Sequence, residues 1–368
     1  MTKLNDKKNS IIALALVAGM FVLLLVLEAV VPHTSIVFTV LKKGAIYSLV
    51  AVSMNLLNGF TGLFSLGQAG FMLIGAYTYA IFTIPVADRL SVYQYYDGGL
   101  IQFALPSIIA LLLAGIMAAI FAFLIGLPVL RLKSDYLAIA TLGFAEIIRA
   151  IFQWDKLGVI TNGSNVLRKY TCYNSTLFYF AVAGICIAII VLLINSSYGR
   201  AFKAIRDNEI AAEAMGISLF KHKQMAFVIS SFFAGIGGAL LAMFQYTIQA
   251  SQFKTALTYE LLLIVVIGGI GSITGSCLGS FLFIACSEWW LRFLDVEGAI
   301  PLLRPGFRKV VFSIIIMVIV LFYSQGIMGT REFSVSGMIN FFKTGGPIGW
   351  IKRKRAAKSK KAEVTVNE

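Results

Sequence analysis

The chain has 368 residues, 59% of them hydrophobic and 13% charged, and a mean hydropathy of +0.86. A soluble domain cannot cover that much apolar side chain with polar surface, so the bilayer must be the solvent for most of the sequence. The net charge of +14 gathers at the ends, in "KRKRAAKSKK" (Lys352–Lys361) and in Lys3, Lys7 and Lys8. It reads as flanking charge that keeps both termini cytoplasmic beside anionic lipid, with no role in binding nucleic acid.

Apolar runs of roughly 18 residues or more, long enough to cross the hydrocarbon core, recur along the chain. The expected fold is therefore an all-α polytopic membrane protein. A first span, about Ile11–Val31, ends at Pro32 and is expected to stay uncleaved, because its apolar core is long and no small-residue cleavage pattern follows. A second covers about Ile36–Leu57, and a third follows the Gly59–Gly62 turn as far as Ile84. After the polar "PVADRLSVYQYYDGG", a fourth span (about Phe103–Leu127) meets Pro128, Arg131 and Lys133. The fifth runs from Tyr136 to near Trp154, and the sixth ends near Asn195.

A basic loop, 196–223, precedes a seventh span at about Gln224–Tyr246. The region Leu257–Leu294 is too long for one span and is broken by "GGIGSITGS", and a last span covers about Val310–Tyr323. Lysine and arginine placement puts the 196–223 loop, the Arg131 loop and both termini in the cytoplasm. An even number of crossings is then required, and counting the broken region as two gives ten. Residues 1–330 form one membrane domain, and 331–368 a basic cytoplasmic tail.

Gly59, Gly62, Ser65 and Gly70 match Gly268, Gly271, Thr274 and Gly279 at a constant offset, in turns placed on the same membrane side. Glycine-broken helices at corresponding places in two halves point to a transport path. Chance or close helix packing accounts for the match equally well. Charges within the spans are few. Glu146 and Arg149 are three apart on one helix, either as a structural pair or as path lining. Glu28, Lys42, Lys43 and Glu288 lie near span ends, where snorkelling explains them.

Catalytic chemistry is missing from the sequence. His33 and His222 have no acidic partners at ligand spacing, so no metal cluster or nucleophile–base set can be assembled. The "GGIGSITGS" loop lacks the Gly-Lys-Ser/Thr ending of a phosphate-binding loop, so any ATP that drives the protein binds another chain. Cys172, Cys186, Cys277 and Cys286 are expected to be free thiols. The sequons at Asn162 and Asn174 are short enough to arise by chance.

The loop "IRDNEIAAEAMGISLFKHK" (Ile205–Lys223) holds a helix of about two turns, roughly 12 Å long. Asp207 or Asn208 caps it, Glu209 suits its positive end, Ala211, Ala212 and Ala214 favour helix, and Gly216 fits the left-handed stop. Ile205, Ala212, Met215 and Leu219 fall on one stripe, and Arg206, Glu209 and Glu213 on another face. The helix either lies against the membrane or offers its small central residues to a partner, with acids at the rim.

"EIAAEAMGI" (Glu209–Ile217) resembles the EAA signature of ABC-importer membrane subunits. The blocks Asn55–Ala80, Leu130–Arg149, Thr161–Leu167, "SYGRAFKAIRDNEIAAEAMGI", "YELLLIVVIGGIGSITGSCLGS" and "FRKVVFSIIIMVIVLFYSQGIMG" resemble LivM-type permeases of branched-chain amino acid importers, in that family's order from Lys43 to Gly329. The resemblance implies a bacterial plasma-membrane complex. Its parts are a LivH-type second permease, two cytoplasmic ATPases carrying ATP and magnesium, and an external amino-acid-binding protein, which the Arg89–Gly98 insertion is expected to meet.

It also implies a coupling helix made of Arg206, Asp207, Glu209, Ala212, Glu213, Ala214 and Gly216. The expected substrate path runs along Ser65, Gly67, Gln68, Gly70, Thr141, Glu146, Gly271, Ser272 and Thr274. Branched-chain amino acids are the expected cargo. A urea or amide importer, an ion-coupled carrier and a non-transporting scaffold are the alternatives.

Overall fold

A computed structural model describes residues 18–30, 32, 35–132, 134–291, 310–311, 313–314, 317, 326–329 and 332. The chain divides after Ala29 and after Arg331. Helix α1 (Ala18–Val30) lies almost wholly before the first division. The larger unit, Val30–Arg331, holds every other helix and strand among the described residues.

Helix α2 (Ile36–Asn55) continues into a π-helical turn, Leu56–Phe60, and is followed by α3 (Gln68–Thr83) and the short α4 (Arg89–Val92). Next come α5 (Ser107–Val129), α6 (Ser134–Gln153), the short α7 (Gly158–Thr161) and α8 (Thr176–Asn195). The series ends with α9 (Ser197–Asp207), α10 (Glu209–Ala214), α11 (Leu219–Gln245), α12 (Thr255–Gly268) and α13 (Ile273–Glu288). A two-residue ribbon, β1 (Leu167–Arg168) antiparallel to β2 (Thr247–Ile248), pairs Leu167 with Ile248.

Among the described residues, five helices are long and apolar enough to cross a membrane: α2 with its π-helical turn, α5, α6, α8 and α11. Helix α3 reaches that length only together with the segment Val86–Val92, from which it is bent by 100°. Helices α1, α12 and α13 are apolar but shorter. The tenth expected span, the start of the first and the basic tail fall mostly or wholly outside the described residues.

The third span differs from its expectation. Helix does not resume after Gly62; residues 62–67 are irregular and α3 starts only at Gln68. Non-helical backbone is tolerated at membrane depth only where protein satisfies its amides. Here Ser65 N–H donates to Asn58 Oδ1 at 3.1 Å and Leu66 N–H to Thr141 Oγ1 at 3.0 Å.

Helix α11 is the centre of the bundle and packs against α2, α3 and α5. A side chain at Gly238 would collide with the Met72 carbonyl of α3, and one at Gly75 with the Gly235 carbonyl. Lipid tails are as apolar as leucine, so helices in a bilayer associate through such close backbone packing and through interhelical hydrogen bonds. Along α2 and α13, the Ser48 and Ser280 hydroxyls bond each other, and both reach the Gly44 carbonyl.

Two ends of the bundle can be told apart. At one, the 84–106, 154–175 and 246–254 connections interlock: Tyr93 OH donates to Ile160 O at 2.9 Å, Leu100 N–H to Val159 O at 3.0 Å, and Lys169 pairs with Asp88 at 2.8 Å. Burial pushes the Tyr93 phenol up to about 12. Arg89, expected to face an external partner, instead turns inward and is almost fully buried. It donates to the carbonyls of Ile81 (3.0 Å), Phe103 (2.8 Å) and Ile101. The neighbours Leu90, Gln94, Tyr95 and Asp97 are exposed.

Lys42 also departs from the snorkelling expectation. It is only 6% exposed and donates to the carbonyl and to the Oδ1 (2.8 Å) of Asn174, because the segment before α8 covers the start of α2. Lys43 pairs with Glu288 at 2.5 Å. Burial lifts the Cys172 thiol to about 11. Asn162 of the first sequon is buried and donates to the Val92 carbonyl, which closes it to glycosylation in the folded chain.

Candidate functional site

At the opposite end, α9, α10 and the start of α11 form a compact unit. Helix α9 is amphipathic and buries Phe202 and Ile205. Asn208 then adopts an extended backbone (φ −161°, ψ 110°), which breaks the helix. Its side chain accepts the Ala211 N–H at 3.0 Å and so caps α10. Gly216, at φ +84°, ends α10 in the left-handed region that a side chain disfavours. The cap and the stop both fall where expected, although the helix itself is only six residues long.

The break at Asn208 re-phases the faces. Ile205 and Ala212 are buried, but Met215 is 84% exposed and Leu219 half-buried, so the single stripe counted through the break does not exist. Arg206 and Glu209 do not share a rim either. Arg206 holds Asp207 at 3.0 Å, and Glu209 pairs with Lys223 of α11 at 2.6 Å. Helix α10 exposes all of its residues but Ala212, among them Glu213, Ala214 and Ile210, 82% exposed, with Met215 just beyond. Ile210 was missed because its exposure depends on where the new helix starts, and Asn208 sets that point.

Arg206 also reaches the bundle. Its Nη1 donates to the Gly59 carbonyl at 3.1 Å, and Lys203 lies 5.7 Å from the centre of the Phe60 ring. Both partners belong to the π-helical turn that ends α2. Next to it stands the second break, Gly269–Ser272 between α12 and α13. Asn55 Oδ1 accepts the Gly271 N–H at 2.8 Å, and its Nδ2 donates to Ser272 O (2.9 Å) and Ser276 Oγ (2.8 Å). A side chain at Gly59 would come within 2.5 Å of Gly271 N.

The two glycine-broken turns matched by sequence are therefore in contact, and the matched pair Gly62 and Gly271 share left-handed backbone (φ +75° and +88°). Asn55, which joins them, was not among the expected site residues. A lone amide inside an apolar run was the available signal.

The expected path residues fall into three places. Ser65, Gly67, Gln68, Gly70 and Thr141 gather where the irregular segment enters α3 beside α6. Thr141 Oγ1 donates to Ala138 O at 3.0 Å and accepts from Leu66; Gly67 N–H reaches Ser65 Oγ at 3.4 Å. Gln68 Nε2 reaches Ser53 (2.8 Å) and Ser230 (3.4 Å), which ties α3 to α2 and α11. Gly70 lets Ala145 of α6 approach.

Gly271 and Ser272 belong to the second turn, where Ser272 Oγ caps α13 by accepting the Gly275 N–H at 3.0 Å, with Thr274 beside it. Glu146 stands apart at the start of α12. It accepts from Thr255 Oγ1 (2.6 Å) and N–H (3.3 Å), and from Arg149 Nε (2.7 Å). None of these residues lines the apolar cavity of about 350 Å³ between α3, α5 and α6. Their polar atoms mostly satisfy neighbouring backbone and side chains.

Residues 36–332 match the family model described as branched-chain amino acid transport system / permease component. The chain is 33% identical over 314 positions to the high-affinity branched-chain amino acid transport system permease protein LivM of Escherichia coli (strain K12), covering 72% of this chain and 69% of that one. It is 28% identical over 269 positions to the probable LivM of Methanocaldococcus jannaschii (65% and 76% covered). With the probable LivH of that organism it shares 26% over 150 positions (41% and 46% covered). No solved structure matches.

Proposed function

Because the chain belongs to the family of branched-chain amino acid transport permease components, we propose that it is one membrane subunit of an ATP-driven importer for branched-chain amino acids. In this reading the α9–α10 end is cytoplasmic. Two ATPase subunits bind below it, a LivH-type permease stands beside it, and an external binding protein delivers substrate at the Arg89 end. ATP and magnesium stay on the ATPases, and this chain catalyses no reaction.

One observation carries the reading. Helix α10 exposes Ile210 and Glu213, with Met215 just beyond, yet the adjoining α9 grips the first glycine-broken turn through Arg206. A partner that moves α10 therefore moves a discrete body already bonded to the first break, which Asn55 in turn bonds to the second, and coupling requires such a body. Closure of the ATPases on ATP would displace α9 and α10, and the paired turns and α11 would carry that displacement into the bundle as alternating access. The aliphatic cargo is proposed from the two LivM relatives.

Reconstitution into proteoliposomes tests this. Leucine, isoleucine or valine uptake should require ATP, both ATPases, the second permease and the binding protein together. Uptake by this chain alone on an ion gradient would reject the importer. ATP-dependent uptake of urea or an amide, with none of leucine, would reject the substrate.

A further inference from the structure

We infer that the outward face of α6 is turned to the second permease subunit and not to lipid. The inference rests on the importer reading and names where this chain meets its neighbour. Of the five long helices, α6 is the least covered: 22% of its most apolar stretch is buried, against 39% for α5 and 33% for α8. A helix so exposed to lipid should be uniformly apolar, as α5 and α8 are, neither of which contains a charged residue.

Helix α6 is different. It carries Glu146 and Arg149, paired at 2.6 Å with side chains 36% and 23% exposed, and Gln153 one turn further on, bonded to Arg149 at 3.0 Å. The guanidinium has five N–H donors, more than Glu146 and Gln153 take up. Thr255 and its backbone amide occupy the other carboxylate oxygen and clasp this row to α12.

Hydrocarbon offers such a row no acceptor. Another protein helix does, and the pair, being neutral as a whole, suits a polar uncharged surface. Gly143, with open space where a side chain would stand, lets a partner backbone come close just below the row. A second permease of this family is the occupant that the importer reading supplies, and one organism holds both a LivM and a LivH relative of this chain.

Three similarly exposed isoleucines allow the test: Ile147 on α6, Ile116 on α5 and Ile189 on α8, at 53%, 47% and 49%. A benzophenone amino acid is placed at each in turn, in the assembled transporter in native membranes, and adducts are identified by mass spectrometry. The expected result is an adduct with the second permease at Ile147, lost at Ile116 and Ile189. Lipid adducts alone at Ile147, or equal capture at all three sites while the permeases co-purify, overturn the inference. Failure of the two permeases to co-purify overturns the importer reading and this inference with it.

Discussion

Arg206 and Gly59, 147 positions apart, are joined by a hydrogen bond of 3.1 Å from the guanidinium Nη1 to the backbone carbonyl. The same guanidinium holds Asp207 and lies 3.4 Å from where a side chain at Gly271 would begin. One side chain therefore links the end of α9 to the first glycine-broken turn and lies beside the second. A carbonyl freed by a π-helical turn needs a donor, and arginine supplies one that can bond two directions at once.

Removing that contact should uncouple the transporter. A hydrogen bond to a charged group contributes about 1.5–3 kcal/mol, which corresponds to roughly tenfold to a hundredfold in an equilibrium. Arg206→Ala should lower uptake by that order in proteoliposomes while the ATPases still hydrolyse ATP at their basal rate. Arg206→Lys, a single-point donor, should recover only part of the activity. Uptake by the alanine variant within twofold of the parent would refute the link.

The exposed surface of α10 gives a separate expectation. Glu213 and Ile210 make no contact that holds the bundle together, so Glu213→Arg and Ile210→Asp should leave folding and insertion intact. Both should abolish uptake and the stimulation of ATP hydrolysis by substrate-loaded binding protein. Glu209→Gln is the contrast: it removes an ion pair with Lys223 whose carboxylate end is half exposed. Such pairs contribute about 0–1 kcal/mol, so the melting temperature should scarcely move. Normal uptake by Glu213→Arg would sink the docking role of α10.

Gly62 and Gly271 test the paired turns. A left-handed backbone costs a side-chain-bearing residue roughly 1–2 kcal/mol. Gly62→Ala adds a tight approach of 3.0 Å to Arg206 Cγ, whereas the space at Gly271 is ordinary. Thermal scanning of the detergent-solubilised subunit should therefore show Gly62→Ala destabilised more than Gly271→Ala. Equal melting temperatures for both variants and the parent would mean that the turns bear no strain.

These residues also mark what the sequence made legible. The cap at Asn208, the stop at Gly216 and the repeat of broken turns are local signals, because each depends on a residue's own backbone preference. The repeat could be found by offset, but its meaning lay in Asn55, which bonds residues more than 200 positions away. Faces failed where a break intervened: a stripe counted from Ile205 to Leu219 assumed one helix, and Asn208 makes two. Intramembrane charge was read by its place along a span, so Lys42 looked like a snorkelling end. Its burial comes from Asn174, which no periodicity brings near.

Arg89 shows the same limit from the other end and supports the strongest stability prediction. A polar insertion between spans reads as exposed loop, yet this guanidinium is buried and serves three carbonyls at Ile81, Ile101 and Phe103. Those carbonyls end α3 and line the extended approach to α5, where no helical amide reaches them. Arg89→Met keeps the apolar stem and strands the acceptors, each at about 1–3 kcal/mol if it stays dry. The variant should accumulate poorly and melt well below the parent, and Arg89→Lys should rescue it only in part. Tyr95→Ala, on the exposed side of the same insertion, should leave the melting temperature unchanged. If Arg89→Met matched the parent in yield and melting temperature, water would have to reach those carbonyls, and the insertion would be the open loop its composition suggests.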